Sequence, residues 1–174
     1  NTDKGDVKGS TFAALKAKAA GGNKSVTISW SKVKGASGYM VYGSLCGKKM
    51  KLLKTLPSSK KSYKAAKLKK GTYYKYMVVA YKVIYKEKRT IAASVTVHAC
   101  TNGGKYANPS SISYRKSKVT LKKGKTLTLK PKYKSKKKVK THIAKFRYES
   151  SNPKIATVSK TGKIKGKKKG SCYI

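Results

Sequence analysis

A chain of 174 residues is long for one small sandwich and comfortable for two domains of roughly 70 to 100 residues each. Its 45 lysines and arginines face only Asp3, Asp6, Glu87 and Glu149, and a net charge of +41 repels itself until counterions or an anionic partner relieve it. Four acids leave almost no raw material for paired-carboxylate catalysis, and apolar residues come only in short runs, so insertion into a membrane is excluded as well.

In chain order, residues 1–10 are polar, lack the apolar core of a signal peptide, and are expected to be disordered or a linker start. Residues 12–20 are alanine-rich, but Phe12, Ala14 and Ala17 can alternate along a strand that turns at Gly21-Gly22-Asn23. Period-two alternation then recurs at 26–30, 39–42, 74–81 and 94–100, with turn-forming clusters such as 34–38 and 57–59 between. The fold class is therefore all-β, built of antiparallel half-buried strands. If Tyr39 and Val41 face inward with Tyr74, Tyr76, Val78 and Ala80, then Met40, Tyr42, Tyr73, Met77, Val79 and Tyr81 face outward. Those six make a candidate ligand patch ringed by lysine, or a face for a second domain to pack on.

Residues 11–101 resemble a fibronectin type III domain. The resemblance rests on Trp30 ending the second strand, on Tyr39-Met40-Val41, and on Leu68-Lys69-Lys70-Gly71-Thr72-Tyr73-Tyr74 leading into Tyr76, Val78 and Ala80. It implies that Trp30 and Tyr39 fill the core and that Tyr74 returns its hydroxyl to backbone a few residues upstream. No Arg-Gly-Asp tripeptide is present, so integrin binding through it is not implied. Residues 102–107 have the composition of a short linker.

Further strands are expected at 119–121, 127–129 and 155–158, with Cys172 and Ile174 on a last core strand. The stretch Tyr148-Glu149-Ser150-Ser151-Asn152-Pro153-Lys154-Ile155-Ala156-Thr157-Val158, then Thr161-Gly162-Lys163-Ile164-Lys165-Gly166, makes residues 108–174 similar to a bacterial immunoglobulin-like domain of group 2. Tyr148 stands where that family commonly has tryptophan. The family continues for another strand where this sequence stops at Ile174, so either the domain is cut short or its last strand comes from elsewhere. Together the two resemblances imply tandem antiparallel β-sandwiches, as found in exported surface proteins of Gram-positive bacteria that serve as stalks, adhesive units or carbohydrate-associated accessories.

Chemistry of other kinds has few candidates. Cys46, Cys100 and Cys172 are too few for a disulfide framework, although Cys46 and Cys100 are a pair that an oxidising compartment could join. His98 and His142 are solitary, so neither a metal nor any other cofactor is expected, and no catalytic residue is assigned. Lysines cluster instead: Lys122, Lys123 and Lys125; Lys136, Lys137 and Lys138, with Lys140 beyond; and Lys167, Lys168 and Lys169. Turns of a sandwich gather at its ends, so such clusters can pool into a basic pole. Only three arginines are present, and lysine lacks the planar fork that reads bases, which excludes sequence-specific nucleic-acid recognition. The expected protein is a monomeric, extracellular adhesion or spacer module binding anionic polysaccharide or teichoic acid. The alternative is capture of a host protein or glycoprotein, such as an immunoglobulin, through a sheet face or edge strand.

Overall fold

Every regular element is a β-strand in the computed structural model, which describes residues 14–139 and 146–174. The chain divides into two units, Asn1–Asn108 and Pro109–Ile174. The expected disordered start, Phe12, Lys140 and His142 lie outside the described residues.

In the first unit, β1 (Ala17–Gly22), β2 (Ser25–Trp30) and β5 (Ser62–Ala65) form one antiparallel sheet in the order β1-β2-β5. The other runs β4-β3-β6-β7, from β4 (Lys51–Pro57), β3 (Gly38–Leu45), β6 (Tyr73–Ile84) and β7 (Glu87–Ala93). Beside β7, β8 (Val97–Cys100) pairs the first half of β6. Between the sheets Val26, Ile28 and Trp30 meet Tyr39, Val41, Tyr76, Val78 and Ala80 in one buried cluster. This is the sandwich that the fibronectin type III resemblance implies. Trp30 lies 5.4 Å from Tyr39, ring centre to ring centre, while the Tyr39 hydroxyl accepts from Val33 N at 2.9 Å. Tyr74 closes its corner as expected, its hydroxyl accepting from Lys69 N at 3.1 Å.

Four expectations for this unit are corrected. The first strand begins only at the buried Ala17, so the exposed Ala14 and buried Leu15 precede it, and its turn falls at Asn23 and Lys24, because Gly21 and Gly22 remain paired with Val26 and Ser25. Glycine is needed at 21: a Cβ there would overlap the Cys100 carbonyl oxygen.

The second correction concerns the outward face of β3 and β6. Tyr42, Met77, Val79 and Tyr81 are buried there, and Met40 and Tyr73 are half-buried. Met50 folds over the sheet from the β3–β4 connection and joins Tyr42, Met77, Val79 and Ala93 in a second apolar cluster, so β6 is covered on both sides. Alternation assigned the side of the sheet correctly; exposure depended on a loop residue 27 positions away from Met77 in the chain.

Third, residues 102–107 are bonded to the first unit. Asn102 N donates to Gly22 O at 2.9 Å, the Tyr73 hydroxyl donates to Ala107 O at 2.9 Å, and Gly104 lies directly against Gly71. Asn108 clasps Cys100 with its side-chain amide, accepting from the backbone N and donating to the O, each at 2.7 Å. Fourth, Cys46 and Cys100 stand two strands apart. Cys46 N bonds Tyr73 O while Tyr73 pairs with Cys100, a separation of about 10 Å that no disulfide bridges.

The second unit holds two small antiparallel sheets. One pairs β9 (Ser111–Ser113) with β11 (Lys132–Lys134); the other runs β10-β13-β12, from β10 (Thr126–Thr128), β13 (Lys163–Gly166) and β12 (Ala156–Val158). Tyr133, Phe146 and Tyr148 form a line of ring contacts, and Tyr148 lies against Gly162, whose φ of +81° and lack of Cβ both favour glycine. Residues 119–121 and 172–174 are not strands: Val119 is exposed, Cys172 half-buried and Tyr173 86 % exposed. Among the described residues the C-terminal stretch is held by Ser151, whose N donates to Tyr173 O and whose hydroxyl accepts from Tyr173 N.

Candidate functional site

The second unit gathers its lysines through its backbone. Residues 122–125 make a turn closed by Lys125 N to Lys122 O at 3.1 Å, with Gly124 at φ +77°. That turn is tied to the end of β13: Gly124 N donates to Gly166 O at 2.9 Å and Gly166 N to Lys125 O at 3.1 Å. Beyond β13, Lys167 N and Lys168 N both donate to Ile155 O, at 2.8 and 3.2 Å. Lys122, Lys123, Lys125, Lys167, Lys168 and Lys169 are thereby brought to one end, Lys154 with them, and every one is exposed. No ion pair among the described residues engages any of the seven.

Gly166 makes the junction close. A Cβ there would stand 3.0 Å from the Lys122 carbonyl oxygen, tighter than side chains ordinarily tolerate. The third predicted cluster is not tied to this end by the backbone. Lys136, Lys137 and Lys138 follow β11, where the Ser135 hydroxyl donates to Lys137 O at 2.7 Å, and no backbone bond among the described residues joins them to the 122–125 turn.

Seven unpaired ammonium groups around one strand end form an electrostatic surface rather than a cleft. Each is a compact point charge able to meet a phosphate, sulfate or carboxylate in many orientations, so the surface suits a flexible polyanion. Lys163 and Lys165, isolated between apolar and glycine residues, belong to no run of adjacent lysines. The signal that finds them is the alternation Lys-Ile-Lys-Gly-Lys over residues 163–167.

On the other side of β10 and β13, Leu121, Leu127, Leu129, Ile155, Ile164 and Ile174 line an open cavity of about 750 Å³. In the first unit, the Cys46 Sγ lies 3.4 Å from His98 Nδ1. Burial pushes the Cys46 thiol up to about 11, with Lys75 opposing and Cys100 reinforcing the shift. A thiol held protonated is neither a ready nucleophile nor a ready metal ligand. Among the described residues no three His, Cys, Asp or Glu side chains come together in a metal-binding group.

Residues 109–174 match the family described as bacterial Ig-like domain (group 2). No curated protein matches the chain. Among solved structures, a β-1,2-glucanase from Parabacteroides distasonis is similar at 23 % identity and a TM-score of 0.44, over 52 % of this chain and 13 % of that one. The fn3 domain of human contactin 1 is similar at 18 % identity and a TM-score of 0.44, over 55 % of this chain and 80 % of that one. Pectate lyase Pel3 from Pectobacterium carotovorum follows at 15 % identity and 0.43, over 57 % of this chain and 30 % of that one. The chain thus spans about an eighth of the glucanase and under a third of the lyase.

Proposed function

We propose that this chain is a non-catalytic module of an extracellular bacterial surface protein, and that its second unit binds anionic polymers through the basic end built around Gly124 and Gly166. The observation that carries the reading is the backbone tie between the 122–125 turn and the end of β13, which concentrates lysines that are remote in sequence. With a net charge of +41, such a cluster is costly to hold together unless anions neutralise it. The match of residues 109–174 to a bacterial immunoglobulin-like family supports a place on the cell surface. Capture of a host protein such as an immunoglobulin loses the sheet face first considered for it, because Tyr42, Met77, Val79 and Tyr81 are buried. Edge strands remain for that alternative.

Binding of heparin and of a teichoic-acid-type polymer at 50 and 200 mM salt tests the reading. Neutralising about six charges predicts a loss of roughly 300-fold in affinity over that range. Salt-independent binding, or none at 50 mM, would contradict it.

A further inference from the structure

The basic end continues onto a sheet face whose order is finer than charge alone. Along β13 and just past it, Lys163, Lys165 and Lys167 are exposed while Ile164 is half-buried and Gly166 buried, so the three lysines share the outer face. The registers set hydroxyls beside them: Lys165 lies between Thr126 of β10 and Thr157 of β12, and Lys163 lies next to Thr128. These three threonine hydroxyls form no hydrogen bond among the described residues, and the three lysines no ion pair. Lysines two apart on one strand face repel one another, a cost that a row of anions would reverse.

Spacing decides which row of anions fits. Two residues of extended chain are six backbone bonds and advance about 6.7 Å. A phosphodiester polymer with three carbons between phosphates also repeats every six bonds, so when extended it advances by about the same length. A five-carbon unit adds two bonds and falls out of step by about 2 Å per repeat. Single-stranded nucleic acid shares the six-bond repeat, but it binds non-specific proteins by stacking bases on aromatic rings. The outward positions of β10, β13 and β12 offer only threonine and lysine.

We propose that the outer face of the β10-β13-β12 sheet is a track for a linear polyol phosphate with a three-carbon repeat, lying along β13. Successive phosphates meet Lys163, Lys165 and Lys167, and Thr126, Thr128 and Thr157 bond the phosphate oxygens and the polyol hydroxyls between them. The track rests on the polyanion reading above and narrows it to one ligand class and one face.

The test uses the full chain with three probes of equal charge: a glycerol phosphate oligomer, a ribitol phosphate oligomer and oligo-dT. The glycerol phosphate oligomer should bind about tenfold more tightly than either other probe. The triple variant Lys163→Ala, Lys165→Ala, Lys167→Ala should lose at least about tenfold on that oligomer, with its salt slope reduced by about 2. Lys136→Ala, Lys137→Ala, Lys138→Ala, which removes the same charge from residues outside the β10-β13-β12 sheet, should stay within about twofold. Equal affinities for the two polyol phosphates, or equal losses in the two triple variants, overturn the track and leave the polyanion reading standing. Preference for oligo-dT makes nucleic acid the ligand and also overturns it. Absence of binding by all three probes and by heparin at 50 mM salt removes the polyanion reading itself.

Discussion

Cys46 shows how little a residue's type says about its chemistry. Its environment combines a histidine at 3.4 Å with a lysine nearby, which would suit an activated thiolate if the site were wet. Burial dominates and moves the thiol from 9.0 to about 11, so the folded state favours the protonated form. The sign follows: the unfolded chain ionises first, and this contribution to stability is full below pH 9 and lost as pH rises through 11. Tyr76, raised chiefly by burial, acts in the same direction at higher pH. The comparison with Cys46→Ala is internal, because every other group of the chain is common to both proteins. The stability difference between the wild-type chain and Cys46→Ala should shrink between pH 9 and pH 11, as read by thermal scans at constant ionic strength. A constant difference would mean the thiol is solvated.

Among the elements, β6 departs furthest from the exposure its pattern predicts. Its alternation places Tyr76, Val78 and Ala80 on one side and Met77, Val79 and Tyr81 on the other, and both sides are apolar. A strand apolar on both faces is either central or the bearer of an exposed patch, and pattern alone does not separate the two. Met50 separates them by covering the outer side. Met77→Ala should then cost about 2–5 kcal/mol in urea unfolding, as for a core residue, against at most about 0.5 kcal/mol for a residue of a surface patch. Residues 102–107 carry the same lesson: glycine and asparagine look like linker composition, yet Gly104 is packed on Gly71, and Asn108, expected to open the second domain, clasps the backbone of Cys100. Composition reports what a segment is free to do, whereas its hydrogen bonds show what it does.

At the scale of the molecule the two units differ in how they hold themselves together. The buried hydrophobic side chains among the described residues all lie in the first unit, from Leu15 to Cys100, while Leu121, Leu127, Leu129, Ile155 and Ile164 of the second line an open cavity. Protection against hydrogen exchange follows burial, so the amides of Val78, Val79 and Ala80 should exchange slowest and those of β10, β12 and β13 orders of magnitude faster. Exchange read by mass spectrometry checks this, and uniform protection across both units would refute it. Period-two alternation determined on its own that the chain is all-β, and the surroundings of Trp30, Tyr39 and Tyr74 foretold the first core, because core position is a local consequence of strand geometry. The lysine excess likewise raised the expectation of an anionic partner, on which the proposed function builds. Tertiary structure alone decided which lysines stand together, which apolar face is covered and where the first unit ends. Each of those depends on backbone bonds and packing between segments far apart in the chain, a relation that no local pattern encodes.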